Sequence, residues 1–240
     1  MRIKLLLDAF ESMEGATNSE QLRCAMAKFA DEMGFGNFVY ALTIRTPSLK
    51  PQQYVLSGYP PGWVERYVSQ DYFKIDPIVK HAQSSTLPII WDDHVFKNGN
   101  AEAFWEEAKV FGLNAGLSFS VHEQPGVTGI FSLSRDKGLD LVGQDLAALI
   151  GKAQMFASFL YQAIARIDLP KLLPQSSVLL TRRERECLQW AVDGKTAWEI
   201  GQILAITERT VVFHFENIMQ KLGASNKTQA IVRAVALKLI

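Results

Sequence analysis

The chain is poor in cysteine: Cys24 and Cys187 are its only two, and they lie far apart. Two cysteines cannot build a disulfide framework, so a reducing cytoplasm is the expected home. They also leave no Cys₂His₂ or Cys₄ zinc pattern, and His81, His94, His122 and His214 do not cluster at ligand spacing. No metal or cofactor is therefore expected. No apolar run reaches the roughly 18 residues of a membrane span, so no membrane partner is expected. Leu5-Leu6-Leu7 is too short for the core of a signal peptide. Gly-x-Ser-x-Gly elbows and phosphate loops are missing, which argues against the common hydrolase and nucleotide-binding enzymes. Internal repeats and low-complexity stretches are missing too. Finally, there is no excess of either charge, with 25 basic and 25 acidic side chains.

That neutrality hides a gradient. Up to Pro174 the chain has a net charge of −3, and beyond it a net charge of +3. Such asymmetry hints at a nucleic-acid-binding segment at the C-terminal end. Apolar residues at 48% and charged ones at 21% are ordinary for a packed domain. The stretch Leu169 to Ser177 holds two prolines followed by polar residues. Proline removes a backbone donor and disfavours helix before it. The expected division is a domain over 1–166, a linker over 167–176 and a second domain over 177–240.

In the first domain, residues 19–33 read as a helix that Gly34 stops. Phe38 to Ile44 and Gln53 to Leu56 read as strands. Residues 61–70 and 101–111 read as helices. Leu117 to Val121 and Val127 to Leu133 alternate about Gly126 and read as a hairpin. A long helix, about 140–166, carries Leu146, Leu149, Ile150, Ala153, Phe156, Ala157, Leu160 and Ile164 on one stripe. Helices flanking an antiparallel sheet predict an α/β/α sandwich. The second domain reads as helices only. Thr181/Glu184 and Thr196/Glu199 are capping boxes, Thr207 and Asn226 are start signals, and Gly194 and Gly223 are stops. Four short helices form a small bundle.

The helices near 196–204 and 208–222, joined by Ala205-Ile206-Thr207, have helix-turn-helix spacing. Val211, Phe215, Ile218 and Leu222 would pack inward. The opposite face carries Arg209, Val212, Phe213, Glu216 and Gln220, with Lys195, Lys221 and Lys227 near enough to reach phosphates. On geometry alone such a bundle binds either DNA or protein. The run Thr181 to Trp190, with Gly194-Lys195-Thr196, Glu199-Ile200-Gly201, Arg209-Thr210-Val211 and Lys221-Leu222-Gly223, resembles the LuxR-type helix-turn-helix. Glu184, Leu188 and Gly194 match three signature positions of that family. The resemblance implies an all-α four-helix DNA-binding domain whose third helix reads a palindromic operator in double-stranded DNA. It carries Lys195, Thr196, Thr207, Arg209, Thr210, Val212, Phe213, Glu216, Asn217, Gln220, Lys221 and Lys227 into the candidate DNA face. Family members often have basic or amide residues where this chain has Val212 and Glu216. Valine offers only apolar contact, as to a thymine methyl, and glutamate accepts from cytosine or repels phosphate. Arg209 and Lys221 are expected to hold the DNA backbone.

A receiver domain is ruled out in the first half, because no β/α repeat surrounds Asp92-Asp93. The segment from Tyr59 to Ser132 is instead unusually aromatic. Within it, Asp76 sits between Ile75 and Pro77. An aspartate before proline commonly caps a turn or helix. A buried carboxylate also needs a donor, and no nearby Arg or Lys is an evident partner, so a ligand amide could supply one. Trp63, Tyr67, Asp76-Pro77, Trp91 and Gly116 match six signature positions of the LuxR-type autoinducer-binding domain. Gly58-Tyr59-Pro60, Phe104 to Ala108 and Ser132-Leu133-Ser134 fit as well. The whole chain is similar to a quorum-sensing transcriptional regulator of this family.

The resemblance implies an N-acyl-homoserine lactone as ligand. Trp63 would donate to the lactone carbonyl, Asp76 would accept from the amide N–H, and Tyr59 and Ser132 would donate to the amide carbonyl. Trp91 would pack on the lactone ring and Tyr67 along the acyl tail. Val39, Ala41, Val79, Leu113, Ser118 and Ile130 would line the tail, and Phe104 would join the ligand-binding set. Without ligand, Asp76 would be stranded among apolar walls. Small residues at Ala41 and Gly116 tilt towards a medium or long tail. A homodimer, assembled partly through the long helix, and RNA polymerase are the further partners implied. Enzyme activity would need a histidine beside Ser132 and Asp76, and none is placed there by the sequence pattern. The alternative is a regulator of this type answering a different or non-cognate small molecule.

Overall fold

The computed structural model describes residues 2–45, 52–97, 99–124, 126–138, 146–172, 180–237 and 239–240. The chain divides into two compact units, the smaller consisting chiefly of Leu172–Ile240. The larger unit is an α/β/α sandwich around a five-stranded antiparallel sheet of order β2-β1-β5-β4-β3. Its strands are β1 (Asn37–Ile44), β2 (Gln52–Ser57), β3 (Ile89–Trp91), β4 (Ala115–Gln124) and β5 (Val127–Arg135).

One face of the sheet is covered by α1 (Arg2–Gly15), α2 (Ser19–Glu32) and α7 (Leu146–Ile167). Asn18 caps α2 by accepting from Gln21 N. Gly34, at φ +79°, closes the same helix: its N–H donates to Asp31 O, and the N–H of Phe35 donates to Ala30 O. The core on this side is aromatic: Phe29 stacks on Phe156 at 3.9 Å, and both lie against Phe131. Phe131 in turn faces Phe119 of β4. The expected stripe of α7 packs as read at Leu149, Ala153, Phe156, Ala157, Leu160 and Ile164. Residues 139–145 of that expected helix lie outside the described residues.

The other face carries α3 (Pro61–Ser69), a 3₁₀ turn (Tyr72–Lys74), α4 (Pro77–Ser84), α5 (Asp93–Phe96) and α6 (Asn100–Val110). Alternation sends Leu117, Phe119 and Val121 to the α7 side and Ser118 and Ser120 to the α4 side. β5 does the same with Phe131 and Leu133 against Ser132 and Ser134. Both sets are buried, so the sheet presents a hydroxyl-bearing floor to the second helical layer.

Several elements depart from the expected reading, among them β3, the 3₁₀ turn and α5, which were not foreseen. α1 has no cap signal and was not foreseen. α4 begins at the Asp76-Pro77 pair and is only eight residues long. The start of the expected linker is ordered: α8 (Leu169–Leu172) is a helical turn with Pro170 in its first turn, where the missing N–H costs nothing. Beside it Asp168 is buried and accepts from Ser19, Tyr54 and Lys171. This ties the end of α7 to α2 and β2.

The smaller unit contains α9 (Arg182–Val192), α10 (Ala197–Leu204), α11 (Glu208–Leu222) and α12 (Lys227–Ala236). Both expected capping boxes form, and Thr207 and Asn226 cap α11 and α12. The turn between α10 and α11 is unusually tight. A Cβ on Gly201 would lie 2.9 Å from Ile206 O. Ala205 closes the turn in the left-handed region at φ +55°. That conformation costs an alanine about 1 kcal/mol. Ala205→Gly should therefore raise the stability of this unit by several tenths to about 1 kcal/mol, read as a higher urea midpoint for its unfolding. An unchanged or lower midpoint would show that the turn is not strained.

Candidate ligand site and nucleic-acid interface

α3 begins at consecutive prolines, with Pro61 at its first position, and places Trp63 and Tyr67 one turn apart on one face. Trp63 is buried against Tyr72, Phe104 and Phe111, with ring centroids 5.5–5.9 Å away. Tyr67 meets the Trp63 ring edge-on at 6.0 Å. α6 contributes Phe104, Trp105 and Ala108, and Gly112 ends it so that Leu113 turns inward. Phe96 stacks on Trp105 at 4.2 Å. Tyr59, Trp91 and Ile130 border the same cluster. The structure thus brings together Tyr59, Trp63, Tyr67, Trp91, Phe104, Leu113 and Ile130, as expected. Val39 and Ala41 are half-buried on β1, on the face opposite Phe38 and Tyr40, and Val79 is half-buried on α4. Trp105 and Phe111 of the aromatic segment also belong to the cluster, as do Tyr72 and Phe96, which were not foreseen. Arg66 of α3 and Glu107 of α6 form a bidentate pair between the same two helices, at 2.7 and 2.9 Å.

Asp76 is buried but not stranded, contrary to the sequence expectation. Its Oδ1 accepts from Ile78 N at 2.8 Å and caps α4, and its Oδ2 accepts from the Tyr67 hydroxyl at 2.9 Å. The capping role and the site role therefore coincide in one side chain. The donors come from the helix N-terminus and a tyrosine, which a search for Arg and Lys overlooks. The hydroxyl of Tyr67, whose ring was expected along an acyl tail, is directed to Asp76. Burial pushes the Asp76 carboxyl up to about 6, and the bonds from Tyr67, Ile78 and Val79 oppose that rise. Burial likewise raises the Tyr59 and Tyr67 hydroxyls above their ordinary range. The Tyr59 hydroxyl lies by Ser134 and Ser132.

Trp91 is half-buried on β3, where it pairs with Gly116 of β4. A Cβ at Gly116 would lie 2.6 Å from both the Trp91 ring and Leu133 O. The space expected to admit an acyl tail at Gly116 is thus filled by the indole. Ser118, expected on the tail wall, accepts from Trp91 Nε1 at 2.8 Å and shares a 2.7 Å bond with Ser132.

On α11, Val211, Phe215, Ile218 and Leu222 are buried, and Arg209, Val212, Phe213, Glu216 and Gln220 are exposed, as the spacing predicts. Thr196 caps α10 and Asn217 is half-buried on α11, while Thr207 Oγ1 accepts from Thr210 N and shares a bond with its hydroxyl. The lysines depart from expectation. Lys221 Nζ lies 2.7 Å from Glu184, whose side chain is buried. Burial alone would raise the Glu184 carboxyl, but Lys221 and the Thr181 bonds hold it below its ordinary range. Lys195 lies 3.6 Å from Glu199. Lys227 sits over the Phe215 ring at 4.7 Å and donates to Lys195 O. Lys221 and Lys227 thus join separate elements of the bundle, whereas a sequence pattern shows only their charge. Among the described residues, no His/Cys/Asp/Glu group could hold a metal ion, and no helix is long and apolar enough to cross a membrane.

A buried aromatic cluster beside Asp76 in one unit and a helix-turn-helix in the other fit the class of ligand-responsive transcriptional regulators. Residues 18–164 match the autoinducer binding domain, and residues 178–234 match the bacterial regulatory proteins of the luxR family. The transcriptional activator SolR of Ralstonia nicotianae is 38% identical over 97% of this chain and 98% of its own. The quorum-sensing regulator RhlR of Pseudomonas aeruginosa is 31% identical over 95% and 93%. Among solved structures, SdiA in complex with octanoyl-rac-glycerol is similar at a TM-score of 0.81 and 26% identity, covering 98% of this chain and 93% of that one. The chain belongs to the LuxR family of autoinducer-binding transcriptional regulators.

The raised Asp76 carboxyl gives a stability test. Its folded-state value of about 6 lies above the ordinary 3.8, so the folded protein holds the proton more tightly. Stability from this group is therefore greatest below pH 4 and declines as pH rises through 6. The decline amounts to about 3 kcal/mol. Asp76→Asn should flatten the stability profile of the full chain between pH 4 and 6.5, measured in urea melts. A profile parallel to wild type would show that Asp76 does not titrate there.

Proposed function

We propose that the larger unit binds an N-acyl-homoserine lactone, and that the liganded chain dimerises and binds a palindromic promoter site. The observation that carries the first part is the set of complementary groups at one buried site. An indole can only donate and an ionised carboxylate can only accept, while the serine and tyrosine hydroxyls supply further donors. A lactone carbonyl, an amide N–H and an amide carbonyl present the matching groups. Asp76 keeps acceptor capacity beyond its bonds to Tyr67 and Ile78, because a carboxylate accepts about four hydrogen bonds. The aromatic cluster and the half-buried Val39, Ala41, Val79 and Ile130 offer apolar contact to an acyl tail at about 0.8 kcal/mol per methylene.

Binding to the folded state alone stabilises it by RT ln(1+[L]/Kd), about 2.7 kcal/mol at a hundredfold excess. Trp63→Phe, which keeps a ring but removes the N–H, should shift the lactone dose-response of a reporter at least tenfold. An unmoved response would remove Trp63 from the site. A second reading has one observation in its favour, the octanoylglycerol held by SdiA. An acylglycerol would share the tail and lack the lactone. Mass spectrometry of ligand extracted from the purified protein separates the two.

On DNA, Arg209, Thr207, Thr210 and the exposed face of α11 are the proposed contacts, with RNA polymerase a partner at the promoter. Several lysines are committed within the bundle, so each copy neutralises few phosphates. Two copies on two half-sites would then supply the affinity. Arg209→Ala should weaken binding to all sequences similarly and reduce the salt slope by about 1. Lost sequence preference with an unchanged slope would instead make Arg209 a base reader.

A further inference from the structure

Three side chains from three strands form a chain of hydrogen bonds in the hydroxyl floor. Trp91 Nε1 donates to Ser118 Oγ at 2.8 Å, and Ser118 Oγ lies 2.7 Å from Ser132 Oγ. Ser118 and Ser132 are both almost wholly buried. Distance leaves the donor of the second bond open, but chemistry decides it. An indole has a proton and no acceptor, so Ser118 must accept from Trp91. Were Ser118 to accept from Ser132 too, its own proton would have no partner among the described contacts. A buried hydroxyl proton left unpaired is disfavoured. Ser118 therefore donates to Ser132, and Ser132 is left with its proton to give onward, with the Tyr59 hydroxyl beside it. The indole is fixed for this purpose. It packs on the bare backbone of Gly116 at the β3–β4 pair and meets Trp105 edge-on at 6.2 Å.

We infer that Trp91 and Ser118 are positioning residues that orient the Ser132 hydroxyl as a donor towards a ligand carbonyl. The inference rests on the lactone reading above, in which Ser132 meets the amide carbonyl. It assigns Trp91 a role through its N–H, distinct from packing by its ring, and moves Ser118 from the tail wall into the polar recognition of the ligand head.

Calorimetric titration of the full-length protein with two probes tests it. One is N-octanoyl-homoserine lactone. The other is its thioamide, which keeps the N–H but replaces the carbonyl oxygen with sulfur, a weak acceptor. Wild type should prefer the amide by about tenfold, the order of one hydrogen bond. Trp91→Phe keeps a ring and removes the donor. That variant and Ser118→Ala should each cut the preference to less than about threefold, with the larger loss falling on the amide probe. The double variant should match the single ones, because the residues act in series. Equal losses on both probes, or an intact preference in both variants, would overturn the relay and leave the lactone reading standing. Wild type that binds neither probe would overturn both. Should Trp91→Phe not fold, the serines decide alone. Ser132→Ala should cut the preference to less than about threefold, the remainder coming from Tyr59, and Ser118→Ala should add nothing to that loss, whereas additive losses would overturn the relay.

Discussion

The period of two along β4 and β5 is the constraint on which the larger unit depends. Leucine, phenylalanine and valine go to one side and seal the layer of α1, α2 and α7. Serines go to the other side and stay buried under the shorter helices. A one-residue slip would exchange the two sets, putting hydroxyls into the phenylalanine core and rings into the site. The cost of either exchange is large, so the register is firmly held. The polar floor of the site follows directly from the packing of the opposite face.

Asp76 shows how the site and the fold share one group. Its carboxylate ends the run from Tyr72, caps α4 and receives the Tyr67 hydroxyl from α3. It therefore positions two helices of the site as well as an acceptor inside it. Burial makes the charge costly, and the three bonds opposing that cost come from the elements it organises. Under the proposed function, a ligand N–H would add one more donor to a carboxylate that the fold already holds in place.

In the smaller unit, charge is spent on architecture before recognition. Glu184 closes the α9 capping box and also receives Lys221 from the far end of α11. The third helix is thereby pinned to the first at the end away from Thr207. What remains on the exposed face is Arg209, two apolar side chains, Glu216 and amides. The proposed pairing of two copies rests on this composition, in which apolar and amide side chains outnumber the cations of the exposed face.

Much of this was legible in the residue order. Caps and stops are local, made within one turn by Thr181, Thr196, Thr207 and Asn226, so helix boundaries in the smaller unit could be read directly. Alternation and three- to four-residue spacing are local as well, and they placed the core stripes of α7 and α11 and the hairpin. The motif matches pointed to Trp63, Tyr67, Asp76 and Trp91. Partnership was not legible, because it joins residues distant in sequence. Lys221 finds Glu184, Trp91 finds Ser118, and the Trp91 indole fills the gap that Gly116 leaves. A sequence records which donors and acceptors a chain possesses. Only the tertiary structure, by excluding water and bringing the strands into register, decides which of them meet.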